Sequence, residues 1–461
     1  MTTEELRQSL LAAPKNGYTR IPVEERAEME AYCKRYMAFM DAAKTEREST
    51  AWAVAEAEKR GFVPFKPGMS VQPGDKIYYN NRGKSIALAV IGTEPLSSGA
   101  NICAAHEDSP RMDIKPNPLY EDSEIAYFKT HYYGGIKKYQ WPTLPLALHG
   151  VVCTKDGRTV NVTVGEDPAD PVLMISDLLL HLAGDQMQKT AAQVIAGEQL
   201  NVILGSEPLA GEGSDLVKLH IMQWLNEKYG IVESDFLSAE LNVVPAGPCR
   251  EVGLDRSLIA AYGHDDRVCV YAELEALFTI GTPTKTAVCI LADKEEIGSV
   301  GISGMQSHFF EHFMGGLCDA QNVKLEDCFA NSFCLSADVS NAFDPNWPET
   351  CDRRNNSQLH YGISICKYTG SRGKGGASAA SAEAMRHIRK TFDENNVIWQ
   401  IATLGKVDQG GGGTVAAYMA NRNIVTVDAG VPVLSMHAPL ELVSKLDCYE
   451  TMLACKAIYL A

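Results

Sequence analysis

The chain has 461 residues, 45% hydrophobic and 22% charged, with a formal net charge of −16 at neutral pH. This is ordinary globular composition, and the length calls for about two or three folded units. The acidic balance argues against nucleic acid or an anionic membrane surface as partner, and no run reaches the roughly 18–20 apolar residues of a spanning helix.

The first residues, MTTEELRQSLLAAPKNGYTR, lack a basic segment followed by an apolar one, so no secretory signal is read there. The 13 cysteines are scattered without a Cys-x-x-Cys pair. That pattern predicts reduced thiols and a cytoplasmic location. From Pro22 to Phe62, Met29, Tyr32, Cys33, Tyr36, Met37 and Met40 recur at helical spacing, and Gly61 marks a stop. One long or two shorter helices are predicted, with the Met and aromatic stripe turned to a core. DKIYYNNRGKSIALAVIG predicts a hairpin around Asn80–Gly83 followed by a buried strand, and ANICAAHEDSP predicts the next strand.

From about Met112 the texture becomes short β runs separated by turn signals, with a helix predicted over Ile175–Gln188. Near NVVPAGPCREVGLD the α/β pattern returns. DDRVCVYAELEALFTIG predicts a helix, KTAVCILAD and FCLSADVS strands, SAASAEAMRHIRKTFDENN a helix, and VPVLSMHAP a last strand. Strands alternating with helices predict an α/β sheet covered on both faces.

Polar residues punctuate these elements in five places: AAHEDSP, YGHDDRVC, LADKEEIGSVG, LSADVSNAFDP and LSMHAPLE. Four follow predicted strands and one opens a predicted helix. Ligand sites of open α/β sheets lie beyond the carboxyl ends of the strands, so these loops are expected at one rim. Together they supply two histidines and several carboxylates, the donor mixture for Zn, Mn or Co. His106 and Asp108 are one residue apart, and in extended chain they share a face. Both could converge on a metal, on a substrate or on each other. Glu295 and Glu296 follow an apolar strand, and an irregular exit would let both turn inward. Arg267 beside Asp266 would neutralise it and leave Asp265 free as a ligand. By contrast, isolated histidines such as His149 and His220 read as structural.

Such a set suits a two-metal hydrolase. Paired divalent ions activate water and polarise a carbonyl, a nearby Glu moves the proton, and a carboxylate behind a ligating His fixes its tautomer. VDQGGGGT, Val407–Thr414, would let backbone approach a ligand. GSRGKGGAS fails the spacing of a phosphate loop, which excludes nucleotide binding of that type.

The order His-x-Asp-Ser-Pro, Asp-Asp, Glu-Glu-Ile-Gly-Ser, Ser-Ala-Asp and Ser-Met-His, spread over residues 106–437, resembles metallopeptidase family eighteen. These are the aspartyl aminopeptidases, in the clan of dinuclear zinc exopeptidases. The resemblance implies two divalent ions per chain, zinc first with Co or Mn as alternatives. It implies His106, Asp265, Glu296, Asp338 and His437 as metal ligands, with Asp265 bridging. Asp108 would orient His106, and Glu295 would be the general base. His181, in LLLHLAGDQ, resembles a histidine that reaches a neighbouring subunit's active site. The fold implied is a zinc-peptidase-like three-layer sandwich with a mixed central sheet, split as residues 1–111 and 252–461. A β-rich oligomerisation and lid domain, residues 112–251, interrupts it. A homo-oligomer is implied, commonly a dodecamer, acting on peptides.

Two positions depart from the family pattern. Asp266 stands where Asn is frequent and Glu107 where Thr is frequent; lining the pocket, they would disfavour acidic side chains. The expectation is therefore a metal-dependent aminopeptidase. A dinuclear deacylase of N-acyl amino acids is the enzyme alternative. A noncatalytic assembly protein is the other, opposed by retention of every ligand and of Glu295.

Overall fold

The computed structural model describes residues 1–12 and 14–461. Its centre is a nine-stranded mixed sheet. In spatial order the strands are Val63–Pro64, Lys76–Asn80, Ile86–Val90, Thr286–Ala292, Ala100–His106, Phe333–Ser336, Val425–Gly430, Ile363–Cys366 and Trp399–Ala402. The three middle strands, Thr286–Ala292, Ala100–His106 and Phe333–Ser336, are parallel. Alternation along a strand sends neighbouring side chains to opposite faces, and here it builds two cores. Ile86, Leu88 and Val90 join one; Ala87 and Ala89 join the other. The first core is closed by helices Val23–Ala42, His264–Thr279 and Lys445–Tyr459 through Tyr36, Leu274 and Ile458. The second is closed by Phe310, Phe313 and Leu317 of Phe309–Ala320. The result is the three-layer α/β sandwich expected from the alternation of strands and helices.

A six-stranded antiparallel sheet is drawn from between Arg111 and Pro245, in the order Thr159–Val164, Leu146–Cys153, Ala239–Pro245, Arg111–Asp122, Ile125–Tyr133 and Val202–Gly205. It has its own core, with Met112, Phe128, Trp141, Leu148 and Val243. Arg250–Val252 instead joins a third sheet with Leu258–Ala261, Glu441–Ser444, Pro432–Leu434 and Ser340–Asn341. Pro432–Leu434 is thus not the last strand, because the chain turns at His437 and returns as Glu441–Ser444.

The N-terminal segment forms two helices, Val23–Ala42 and Glu46–Lys59; the second opens on a Thr45–Glu48 capping box. The hairpin at Asn80–Gly83 forms as expected. The helix expected over Ile175–Gln188 does not. That stretch holds two short 3-10 turns, Leu180–Leu182 and Gln186–Gln188, and Asp177 Oδ1 accepts from the main chain of Leu178 and from Gln186 Nε2 at 2.7 and 3.0 Å. Its leucine spacing has no facing core: Leu178, Leu179, Leu180 and Leu182 are all exposed. A short helix depends on burying an apolar face. The true helix of this region is Leu216–Tyr229, ended by Gly230 at φ 68°.

Candidate metal centre

The loops that leave the parallel strands meet where expected. His106 is the last residue of Ala100–His106. Glu295 and Glu296 form a 3-10 turn just beyond Thr286–Ala292, entered through Lys294 in left-handed conformation. Asp338 lies two residues beyond Phe333–Ser336. Asp265 opens the helix His264–Thr279 with non-helical backbone, and His437 sits at φ 65° before Glu441–Ser444.

Asp265 is the centre of the group. Its Oδ1 lies 3.2 Å from His106 Nε2 and its Oδ2 3.1 Å from His437 Nε2. Glu296 Oε1 is 3.3 Å from His437 Nε2, and Glu295 Oε2 is 4.0 Å from His106 Nε2. Asp338 completes a third close set with His106 and Asp265. His106 Nδ1 donates to the main-chain oxygen of Asp108 at 2.9 Å, while the Asp108 carboxylate stands 3.4 Å away. The strand ends at His106, so Asp108 does not share its face by alternation; the turning backbone brings both groups of Asp108 to the imidazole.

Charge is unbalanced here. Burial raises the Glu295 carboxyl to about 7, helped by Asp108 and Asp265 and opposed by His106. Burial also raises Glu296 and Asp338, with Asp265 adding to both. Burial works against charge on the imidazoles, yet contact with carboxylates outweighs it: Asp265 lifts His437 to about 10, and Asp108 followed by Asp265 lifts His106 well above its ordinary value. Asp265 runs the other way: burial would raise it, but its bonds to the two histidines hold it low.

Two sequence expectations fail nearby. Arg267 does not neutralise Asp266; its guanidinium donates to Ser109 Oγ at 3.0 Å and to the Tyr262 carbonyl at 2.7 Å. Asp266 instead accepts from the His106 main chain at 3.3 Å. Glu107 does not line a pocket. It is fully buried among Ser49 and Thr50, which donate to it. His181 is exposed and stands outside the cluster within one chain.

Other participants carried little readable signal. Glu441 accepts from the main chains of Asp265 and His437 at 3.0 and 2.6 Å, fixing two loops. Tyr133 donates to Asp108, and the Gly135 carbonyl accepts from His437 Nδ1. Glu441 lies within LSMHAPLE, where its distance from the histidine by four residues was the one available clue.

The family model described as "Aminopeptidase I zinc metalloprotease (M18)" matches residues 39–459. The chain belongs to the M18 family. A relative in Clostridium acetobutylicum, called "Probable M18 family aminopeptidase 1", is 49% identical over 96% of this chain and 97% of its own length. The crystal structure of an M18 aminopeptidase from Thermotoga maritima superposes with a TM-score of 0.93 at 44% identity, covering 97% of this chain and 99% of that one. The S. cerevisiae mApe1 dodecamer shares the fold, with a TM-score of 0.76 at 19% identity. The M18 chain described here is accordingly an aminopeptidase, a hydrolase of peptide bonds.

M18 members are zinc metalloproteases, and the residues of this centre fit zinc. They offer imidazole and carboxylate donors in three mutually close sets. Glu296 Oε1 is buried without a hydrogen bond. Among the described residues no Lys or Arg forms an ion pair with Asp265, Glu295, Glu296 or Asp338. A largely buried, anion-rich pocket of this kind is relieved by a divalent cation.

Proposed function

We propose that this chain is a dinuclear zinc aminopeptidase in which His106 and Asp338 would hold one ion, His437 and Glu296 would hold the other, and Asp265 would be shared between them. The observation that carries the reading is the Asp265 carboxylate, whose two oxygens face two different imidazoles at 3.2 and 3.1 Å. Ions bound there supply Lewis acidity toward the scissile carbonyl and toward water.

Glu295 takes a proton from the attacking water and delivers it to the leaving amine. Its carboxylate stands back from the imidazoles, at 4.0 Å against 3.3 Å for Glu296, which supports giving it the mobile proton. Asp108 holds the main chain of both glutamates, accepting from Glu295 and Glu296 at 3.0 and 3.2 Å. Membership of an aminopeptidase family favours a substrate with a free amino terminus over the blocked amine that a deacylase takes.

His181 is proposed to act in a neighbouring subunit, donating to the developing oxyanion. It is flanked by exposed Leu179, Leu180 and Leu182, an apolar surface that a second copy would cover. We propose a homo-oligomer, with a dodecamer as the assembly to test, and the insert sheet as its contact surface and lid. The thirteen free cysteines favour a reducing compartment, the cytoplasm. Among the described residues no helix is long and apolar enough to cross a membrane.

Elemental analysis is expected to find about two zinc ions per chain. A free-amine peptide is expected to be cleaved and its N-acetylated form refused. Preferential cleavage of the acetylated peptide would move the assignment to the deacylase.

A further inference from the structure

The insert sheet touches the metal centre through three consecutive residues, Tyr133, Gly134 and Gly135. We propose that these are positioning residues, so that the insert is a wall of the centre that fixes both imidazoles and the glutamate pair. The inference rests on the dinuclear reading above.

Tyr133 ends the strand Ile125–Tyr133, and its hydroxyl donates to Asp108 Oδ2 at 2.7 Å. The same carboxylate accepts from the main chains of Glu295 and Glu296, and its Oδ1 is 3.4 Å from His106 Nδ1. One phenol therefore fixes a carboxylate that supports one ligating imidazole and both glutamates. The phenol is itself held. The Arg111 guanidinium lies 4.2 Å from the centre of its ring and pairs with Glu46 at 3.1 Å.

Gly134 follows at φ 72°, a conformation that favours glycine. A Cβ there would stand 3.3 Å from Glu296 Cβ and 3.4 Å from its Oε2, so a side chain would crowd Glu296 and require it to give by a few tenths of an ångström. Gly135 then turns its carbonyl to His437 Nδ1, at 2.9 Å. With Nδ1 donating, Nε2 is left facing Asp265 and Glu296. Partners behind ligating groups set their orientation and basicity, and losing one typically costs about 10- to 100-fold in metal affinity. A tyrosine that only packed would need its ring, not its hydroxyl.

Tyr133→Phe removes the hydroxyl and keeps the ring over Arg111. Zinc affinity of the purified enzyme is read by competition with a chromophoric chelator, and the visible spectrum is read after cobalt replacement. We expect Tyr133→Phe to bind zinc about 10-fold or more weakly, with an altered cobalt spectrum and unchanged oligomer mass. Tyr120→Phe, on the same sheet and stacked on Tyr127, is the control expected to match wild type. Should Tyr133→Phe fail to fold, Gly134→Ala replaces it, with the same expected direction because the new Cβ presses on Glu296. Wild-type zinc affinity and cobalt spectrum in the variant overturn the inference, and so does lower thermal stability with both readouts unchanged. A wild-type enzyme that binds no zinc would overturn the dinuclear reading itself, a result distinguishable from failure of the tyrosine alone.

Discussion

Two buried clusters in this chain combine histidine with carboxylates, and they differ in how charge is balanced. Where the helix Glu46–Lys59 meets the insert sheet, His149 is shared between Glu48 at 2.7 Å and Glu166 at 3.0 Å. Lys44 lies 2.6 Å from Glu166 and donates to the carbonyls of Pro245 and Gly247, both at 2.9 Å. A fixed cation and main-chain acceptors complete that cluster, so it needs nothing further. In the metal centre two imidazoles face Asp108, Asp265, Glu295, Glu296 and Asp338, and among the described residues no lysine or arginine pairs with them. Residue types alone do not separate the two. Uncompensated negative charge in a largely buried pocket does, and such imbalance is characteristic of functional sites.

The largest expected effect tests that imbalance directly. Exhaustive chelation should abolish peptidase activity, and adding back zinc should restore it, while the seam around His149 keeps the protein folded. Full activity at undetectable metal, by elemental analysis of the same sample, would erase the distinction between the clusters.

Next comes the base. Glu295→Gln preserves size but cannot accept the proton, so kcat should fall roughly 10²- to 10⁴-fold. Metal content should hold, because Glu296, not Glu295, is assigned as ligand. Glu296→Ala should lose metal as well as activity. Loss of metal from Glu295→Gln with retention in Glu296→Gln would exchange the two roles.

The proposed oxyanion donor is expected to matter on the order of 10²- to 10³-fold in kcat. His181→Ala should leave zinc content and oligomer mass intact. Coexpression of His181→Ala chains with Glu295→Gln chains should recover activity, since some interfaces then join an intact base to an intact donor. No recovery, with a fully active monomer, would confine His181 to the surface of its own chain.

How much of this was legible in the sequence follows from range. Each of His106, Glu295, Glu296 and Asp338 ends or follows an apolar strand, and a strand's end is a local signal. The neighbouring contacts were silent because they are main-chain or tertiary. Glu441 acts on the amide of Asp265, 176 residues away, and Gly135 on an imidazole 302 residues away. Arg267 misled for the same reason: adjacency to Asp266 suggested a pair, whereas the fold aims its guanidinium at Ser109 and Tyr262. The leucines around His181 misled differently. Helical spacing of apolar residues signals a face that needs covering, and among the described residues of one chain nothing covers it.

The seam should respond through stability rather than turnover. Lys44 is almost wholly buried against Glu166, and removing one member of a buried pair costs roughly 3–5 kcal/mol. Lys44→Met should therefore lower the melting temperature while leaving zinc per folded chain unchanged. A variant with wild-type melting but depleted zinc would mean that the seam serves the metal after all.

The smallest effect is one of pH. Burial opposes charge on His149, but its bonds to Glu166 and Glu48 win and raise its pKa above the ordinary 6.5. Burial likewise opposes charge on Glu48 and Glu166, and their bonds to His149 hold both below the ordinary 4.5. The imidazolium contribution is complete below 6.5, the value in the unfolded chain, and is lost as pH rises through the raised folded value. The carboxylate contribution is complete above 4.5 and is lost as pH falls through the lowered folded values. Between about 4.5 and 6.5 the seam should thus stabilise most, and on the alkaline side it should weaken. Because the metal centre titrates in both proteins, the informative quantity is the difference in melting temperature between wild type and His149→Gln. That difference should be widest between about pH 4.5 and 6.5 and narrow as the pH rises through the raised His149 value. A constant difference across this range would mean that His149 is held neutral, joining the carboxylates by hydrogen bonds alone.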